Sequence, residues 1–262
     1  MPIVMGLGQS MTSWLATLHS LGVPPLSVRR VGDLFCTSGI FGIDMASGSL
    51  PTGPEDQFRL AYENLDRLLA DHGIAIESIG LLTVTVASRD YRAHIDPGWL
   101  ALFPHPEHCP ARKTNEAPLP AGLAVELHAT GIRGTRVRSL DIPGLSHRAP
   151  IPMGALAGTC VFSSVIGGED PADNSLPGDP VVQIGNAFRN AGRLMEQAGG
   201  DAGGINHIWA FMDDMAQAPL MLDAYLAAFP DADDRPARKT IPYALPKGHA
   251  IQLQIMGDSG GG

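Results

Sequence analysis

The element Pro110-Ala111-Arg112-Lys113-Thr114 occurs a second time as Pro236-Ala237-Arg238-Lys239-Thr240. An arginine is a planar fork that can hold a carboxylate through two parallel N–H···O bonds, fixing orientation as well as adding affinity. Its alternative employment is structural, capping a helix or pairing with Asp or Glu. Fourteen positions beyond each arginine stand Glu126 and Gln252. Glu126 alternates with Val125 and Leu127, so on a strand it faces away from them. In a cleft its carboxylate can take a proton from attacking water, help worth about 10²–10⁴ in rate; on an open surface it is an ordinary exposed strand residue. Gln252 cannot accept a proton, which makes the second copy a degenerate or binding-only partner. Ser38 can donate a hydrogen bond to substrate or simply bond to backbone. No His–Asp pattern surrounds it, so it does not read as a hydrolase nucleophile.

Two other clusters carry less. His105-Pro-Glu107-His108-Cys109 looks like a metal site, but its second-copy equivalents, Asp231, Asp233, Asp234 and Arg235, would not make the same one. Only His108 could lower the pKa of Cys109 locally, so a catalytic thiolate is not expected. Gly199-Gly200-Asp-Ala-Gly203-Gly204 is a helix exit and turn, with neither dinucleotide nor Walker spacing. No metal and no organic cofactor is implied.

The elements that must position these residues come as a tandem duplication. Shifted by 126 positions, the sequence falls on itself without a gap over about 24–129 and 150–255. Gly32–Ser38 lands on Gly158–Ser164, Gln57 on Gln183, Asn64 on Asn190, and Phe103-Pro104 on Phe229-Pro230. Each copy reads as two short strands around a Gly turn (Leu26–Val31 and Leu34–Ser38 in the first), then a helix opened by Pro54 with Glu55 and Asp56 in its first turn. Phe58, Ala61, Leu65, Leu68 and Leu69 form the apolar stripe of that helix, and Gly73 ends it. A β-branched strand over Ile79–Ala87, a short helix over Ile95–Phe103 and a last strand over Gly122–Ala129 complete the order β-β-α-β-α-β. The expected division is an N-terminal helical extension (1–23), domain 1 (24–129), a Gly-, Pro- and Arg-containing connector (130–149), domain 2 (150–256) and a flexible tail (257–262). Arg112 is placed in a loop at the entrance to a strand.

With 44% hydrophobic and 17% charged residues the chain is foldable. A net charge of −9, with both halves acidic, argues against a nucleic-acid surface. No apolar run is long enough to span a bilayer, no Lys or Arg precedes Arg29, and three cysteines cannot build a disulfide framework. The expectation is a cytoplasmic protein.

The ordered set of Gly32-Asp-Leu-Phe-Cys-Thr-Ser38-Gly39, a helix, the Leu-Leu-Thr-Val-Thr-Val strand, a short helix ending Phe103-Pro104, and Pro110-Ala-Arg112 followed by Leu119-Pro120 and Val125-Glu126-Leu127 resembles the Rid (RidA/YjgF) family of reactive imine and enamine deaminases. The stretch Trp14–Pro25 resembles a subgroup of it. The resemblance covers nearly the whole chain, twice. It implies an α+β fold made of two tandem chorismate-mutase-like (Rid-type) domains, helices on one face of a mixed sheet, with ligand clefts between neighbouring domains of a trimeric ring. In such clefts an arginine holds the substrate carboxylate while a glutamate positions water against an imine carbon. The arginine maps onto Arg112 and Arg238. The glutamate maps onto Glu126, with Gln252 in the second copy. The strand serine maps onto Ser38 and Ser164, beside Gly39 and Val165.

Three departures mark this chain. The family's first-strand tyrosine has no counterpart near Pro25–Ser27 or Ile151–Met153, Ile40 and Ile166 stand where a Gln is usual, and the Arg-to-Glu spacing is one residue shorter. The expected reaction is hydrolysis of a C=N or related C–N bond in a small carboxylate-bearing metabolite. Glu126 and Ser38 are the expected catalytic residues, and Arg112, Gly39, Thr114 and Arg238 the substrate-binding ones. The alternatives on the same fold are a non-catalytic small-molecule binder and a ring-opening C–N hydrolase of a catabolic pathway, since fold alone does not fix chemistry. The expected assembly is a homotrimer whose six domains close two rings. Neither nucleic acid nor membrane is an expected partner.

Overall fold

A computed structural model of the protein describes residues 11–260. These fall into two compact units. The first runs through Ile76 and includes Leu82–Pro104 and Thr114–Gly134; the second comprises Glu77–Leu81, His105–Lys113 and the chain from Thr135 onward. The short segments join the second unit through specific bonds: Val137 N–H donates to the Glu77 carbonyl (2.8 Å) and Ser78 Oγ to that of Thr135 (2.8 Å).

The first unit begins with helix α1 (Met11–Ser20). Strands β1 (Val28–Val31) and β2 (Leu34–Thr37) form a hairpin whose turn needs Gly32, at φ 59°. Helix α2 (Pro54–Asp71) starts on its proline, carries Glu55 and Asp56 in the first turn, and buries Phe58, Ala61, Leu65, Leu68 and Leu69. β3 (Ile40–Phe41), β4 (Ile79–Val86), α3 (Ile95–Leu102), β5 (Ala111–Glu116) and β6 (Val125–Ile132) follow. The sheet order is β1-β2-β6-β4-β5, with β3 also paired to β6. Along β6, Val125, Leu127 and Ala129 are fully buried while Glu126, His128 and Thr130 are half-buried on the opposite face.

The second unit repeats the plan with β7 (Arg138–Leu140), β8 (Gly154–Ala157), β9 (Cys160–Ser163), α4 (Pro180–Ala198), β10 (Ile205–Met212), α5 (Ala218–Ala228), β11 (Ala237–Pro242) and β12 (Gln252–Asp258). Its sheet runs β11-β10-β12-β9-β8-β7 and is mixed, β10 and β11 being parallel and the other pairs antiparallel. Ile184, Ala191 and Leu194 of α4 bury against Ile208, Leu253 and Ile255 of the sheet. This is the α+β, helix-on-sheet architecture that the duplicated pattern predicts.

The repeat is carried by a skeleton of buried amides. Gln57 donates to the Pro51 and Gly122 carbonyls (2.7 and 2.8 Å) and accepts from Ala124 N–H (2.8 Å); Gln183 does the same with Pro177, Gly248 and Ala250 (2.6, 2.9 and 2.7 Å). Asn64 donates to Phe41 and Ile43 (2.8 and 2.9 Å), and Asn190 to Gly167 and Glu169 (3.2 and 3.0 Å). Every partner lies 126 positions from its counterpart. These bonds explain why the Gln and Asn are kept: each satisfies loop carbonyls that burial would otherwise leave unpaired.

Four readings of the sequence are corrected. Ala111–Glu116 and Ala237–Pro242 are strands, not loops; their polar Ala-Arg-Lys-Thr composition hides them from a β-propensity argument. Strand β3 was not foreseen because two residues show no period. The expected connector contains the end of β6 and all of β7, and the expected flexible tail begins inside β12. Residues 1–10 and 261–262 of the expected extension and tail lie outside the described residues. No helix among the described residues is long and apolar enough to cross a membrane.

Candidate functional site

In the first unit, Ser38 leaves β2 and is fastened to the chain before β1. Its Oγ accepts from Ser27 N–H (2.9 Å) and donates to the Pro25 carbonyl (3.2 Å). The next residue, Gly39, makes room for an acid: a Cβ added there would overlap Glu126 Oε1 and lie 3.1 Å from the ring of Phe41. Glu126 faces Phe41 across the β3–β6 pair and makes no hydrogen bond or ion pair among the described residues. Burial alone pushes its carboxyl above the usual carboxylate range. Two positions along the same face stands His128, whose imidazole burial drives toward the neutral form. Thr114, on β5, is half-buried. A desolvated carboxylate beside a neutral imidazole is suited to moving protons near neutral pH.

The second unit holds both arginines. Arg112, 5% exposed, opens β5, and its backbone N–H donates to Ser164 Oγ (3.0 Å), which donates in turn to the Pro152 carbonyl (2.7 Å). Beside it Lys113 lies over the rings of Phe211 (3.7 Å) and Tyr243 (5.3 Å), where the aromatic faces compensate a buried ammonium. Arg238 on β11 is oriented wholly by neutral groups: Nη1 donates to Thr240 Oγ1 (2.8 Å) and Met221 Sδ (3.2 Å), and the guanidinium lies 5.0 Å from the Tyr225 ring centre. It makes no ion pair among the described residues. A half-buried guanidinium oriented by neutral groups keeps donors that a carboxylate could take.

Glu169 and His249 form a third polar group. His249 Nε2 is 3.2 Å from Glu169 Oε1, and His147 is influenced by Glu169, Asp141 and Arg112 while burial keeps its ring neutral. Of the residues singled out in the sequence, the structure thus groups Ser38, Gly39 and Glu126 in the first unit, and Arg112 and Arg238 in the second. Sequence reasoning missed His128, although the Glu-Leu-His alternation on a strand signals two side chains on one face. It also missed Glu169 and His249, although the repeat register exposes them, since Glu169 replaces Ile43 and His249 replaces Leu123. His108 Nδ1 lies 2.9 Å from the Val137 carbonyl, and burial pushes the Cys109 thiol up, away from a reactive thiolate.

Residues 26–132 match the family described as Endoribonuclease L-PSP. Among solved structures, RidA from an Antarctic Psychrobacter is 20% identical, covering 46% of this chain and 98% of that one at a TM-score of 0.44. The YjgF product of E. coli is 22% identical over 46% and 98%, TM-score 0.43, and yeast Mmf1 15% identical over 47% and 98%, TM-score 0.43. No curated protein matches the sequence significantly. Each of these structures covers a little under half of this chain. The match to the Endoribonuclease L-PSP family thus covers the first of the two repeats, residues 26–132.

Proposed function

We propose that the protein hydrolyses the C=N bond of a small carboxylate-bearing imine or its enamine tautomer, with Glu126 as base and an arginine of the Pro-Ala-Arg-Lys-Thr element as anchor. The family match over residues 26–132 supports a small-molecule, imine deaminase-type role. The single observation that carries the assignment within this chain is the bond from Arg112 N–H to Ser164 Oγ. The serine of one repeat seats the arginine strand of the other. By the register of 126, the counterpart of that contact is Arg238 against Ser38, beside Gly39 and Glu126. We therefore assign Arg238 of a second copy of the chain to the Glu126 site.

The chemistry follows from the groups. The guanidinium takes the substrate carboxylate by its fork and fixes the imine carbon in place. Glu126 accepts one proton as a water oxygen bonds to that carbon, leaving a carbinolamine. That proton passes to the nitrogen, the hydroxyl proton follows it by way of the Glu126 carboxylate, ammonia departs with the electron pair of the C–N bond, and the C–O bond becomes a carbonyl. Ser38, whose hydroxyl is committed to backbone, holds the loop that shapes the cleft, and Gly39 keeps the space that the carboxylate occupies. Thr114 lies two positions beyond Arg112 on the anchoring strand. The ribonuclease name of the family has no support in a chain of net charge −9.

Subunit complementation tests this reading. Glu126→Gln and Arg238→Ala each lose, when pure, the part of the imine hydrolysis that the Glu126 site carries, while co-expressed mixtures regain it at the sites that receive both native residues. Mixtures as inactive as their parents would refute the shared site, and full activity in both pure variants would refute the residues themselves.

A further inference from the structure

The second repeat lacks the glutamate of the first, but it has not lost a carboxylate at that place. Hydrogen bonds fix the register on both sides of the relevant residues: Asn64 holds the carbonyls of 41 and 43 as Asn190 holds those of 167 and 169, and Gln57 brackets 123 as Gln183 brackets 249. Four exchanges then line up. Glu126 becomes Gln252, Phe41 becomes Gly167, Ile43 becomes Glu169 and Leu123 becomes His249.

In the first unit Phe41, Ile43 and Leu123 are one apolar cluster, each at most 4% exposed, covered by Leu18 of α1. In the second unit the corresponding pair is polar and hydrogen-bonded. Glu169 and His249 keep 27% and 19% of their side-chain surface open. The side chain lost at Gly167 is what lets the acid in: a Cβ there would overlap the Glu169 carboxylate, just as one at Gly39 would overlap that of Glu126. The Ile166–Leu253 bridge puts Gly167 across from Gln252. Glu169 has therefore been set over the strand position opposite the missing glutamate. On the same loop Ser164 seats the Arg112 backbone, and Nε2 of His147 and Nδ1 of His249 are buried and without a hydrogen-bond partner among the described residues.

We propose that Glu169, held by His249 on the loop whose Ser164 seats the Arg112 backbone, is the acid–base carboxylate of a second ligand site, which takes a small carboxylate bearing a C=N or protonated nitrogen. The proposal rests on the reading above in one respect, that an arginine of the Pro-Ala-Arg-Lys-Thr element, here Arg112, receives the ligand carboxylate. A structural role for the pair is the alternative, and it makes a different prediction. A purely structural pair should be replaceable by the apolar pair the first repeat uses, with nothing lost but charge.

The test uses the full chain and two readouts. Ring resonances of His147 and His249 are followed while pyruvate is added, and imine hydrolysis is measured on an imine generated in situ by an amino-acid oxidase. Pyruvate is expected to shift both rings in the wild type, and in neither Arg112→Ala nor the Glu169→Ile/His249→Leu double variant, whose melting temperature stays at or above the wild-type value. Glu126→Gln is expected to retain hydrolysis that a further Glu169→Gln lowers by about 10²-fold or more. Silent histidine rings together with a dead Glu126→Gln single variant would overturn the second site and leave the Glu126 reading intact. Arg112-dependent shifts without hydrolysis in any form would keep the site and sink the hydrolase reading. Pyruvate shifts that survive in the double variant would assign the pair to structure alone.

Discussion

Replacing Gly39 by alanine should separate folding from chemistry in the first unit. Gly39 does not have the positive φ that excludes side chains, so the alanine backbone itself is unstrained. The added methyl instead overlaps Glu126 Oε1, lies 2.9 Å from Glu126 Cδ and comes within 3.1 Å of the Phe41 ring. The carboxylate is the free end of a flexible side chain and can swing aside. Phe41 is 3% exposed and yields only a few tenths of an ångström. Overpacking of this kind costs about 1–3 kcal/mol, and the mobile acid puts the cost at the lower end. For a chain of this size about 1 kcal/mol lowers Tm by about 2–4 °C. Catalysis should suffer more, because a base displaced by about 1 Å loses on the order of 10²-fold in rate. Circular-dichroism melts and kcat/KM for imine hydrolysis, measured on the same preparation, give the two numbers. In a Glu126→Gln background the alanine should cost little further activity, since the group it displaces is no longer a base. Wild-type kcat/KM in Gly39→Ala, or an undiminished loss in the Glu126→Gln background, would show that the carboxylate does not act from where it lies.

Three further outcomes follow from the same contacts. Because burial raises the Glu126 carboxyl above its ordinary value of about 4.3, kcat/KM should fall on the acid side at a pH above the normal glutamate range, and that limb should vanish from any residual activity of Glu126→Gln. The sign for stability is opposite to that of a paired acid. The folded state favours the protonated form, an advantage held below the unfolded pKa and lost as pH rises through the folded one, so Glu126→Gln should melt higher than wild type at pH 7 and not at pH 4. Asn64→Ala should cost about 2–4 kcal/mol in urea unfolding, since it leaves the Phe41 and Ile43 carbonyls unpaired; a loss under about 0.5 kcal/mol would contradict that. Leu18→Ala should cost about 2–5 kcal/mol by opening a cavity over Ile43, a penalty read in the same titration and absent if α1 does not pack there.

How much of this was legible in the sequence depends on the kind of signal. The α2 and α4 stripes, the Gly32 and Gly158 turns and the β-branched run at Ile79 are local and periodic, and the structure reproduces them. β5 and β11 were invisible because Arg-Lys-Thr has neither apolar alternation nor β-propensity; pairing with a neighbouring strand overrides composition there. Arg112 could be singled out by its repetition, but not its burial or its bond to Ser164, a contact between residues 52 positions apart in the chain. Gln57 and Asn64, equally repeated, turn out to serve loop carbonyls. Retention in both copies therefore marks scaffold and site alike, and only the hydrogen-bond partners tell them apart.

What differs between the copies is the more informative signal. The open face of β6 carries Glu126 and His128, and the matching positions of β12 carry Gln252 and Gln254. Where the first unit packs Ile43 on Leu123, the second sets Glu169 against His249. Each unit thus keeps one half-buried glutamate and a histidine near it, but the pair has moved from the last strand to the loop after β9 and the turn before β12. The amide skeleton beneath is unchanged, so the displacement is not a by-product of a deformed backbone. An acid that approaches a bound carboxylate ligand from a different strand meets a different atom of it. If both units act on ligands, the geometry requires that the two prefer molecules of different shape, and a substrate series graded in chain length should divide between Glu126→Gln and Glu169→Gln.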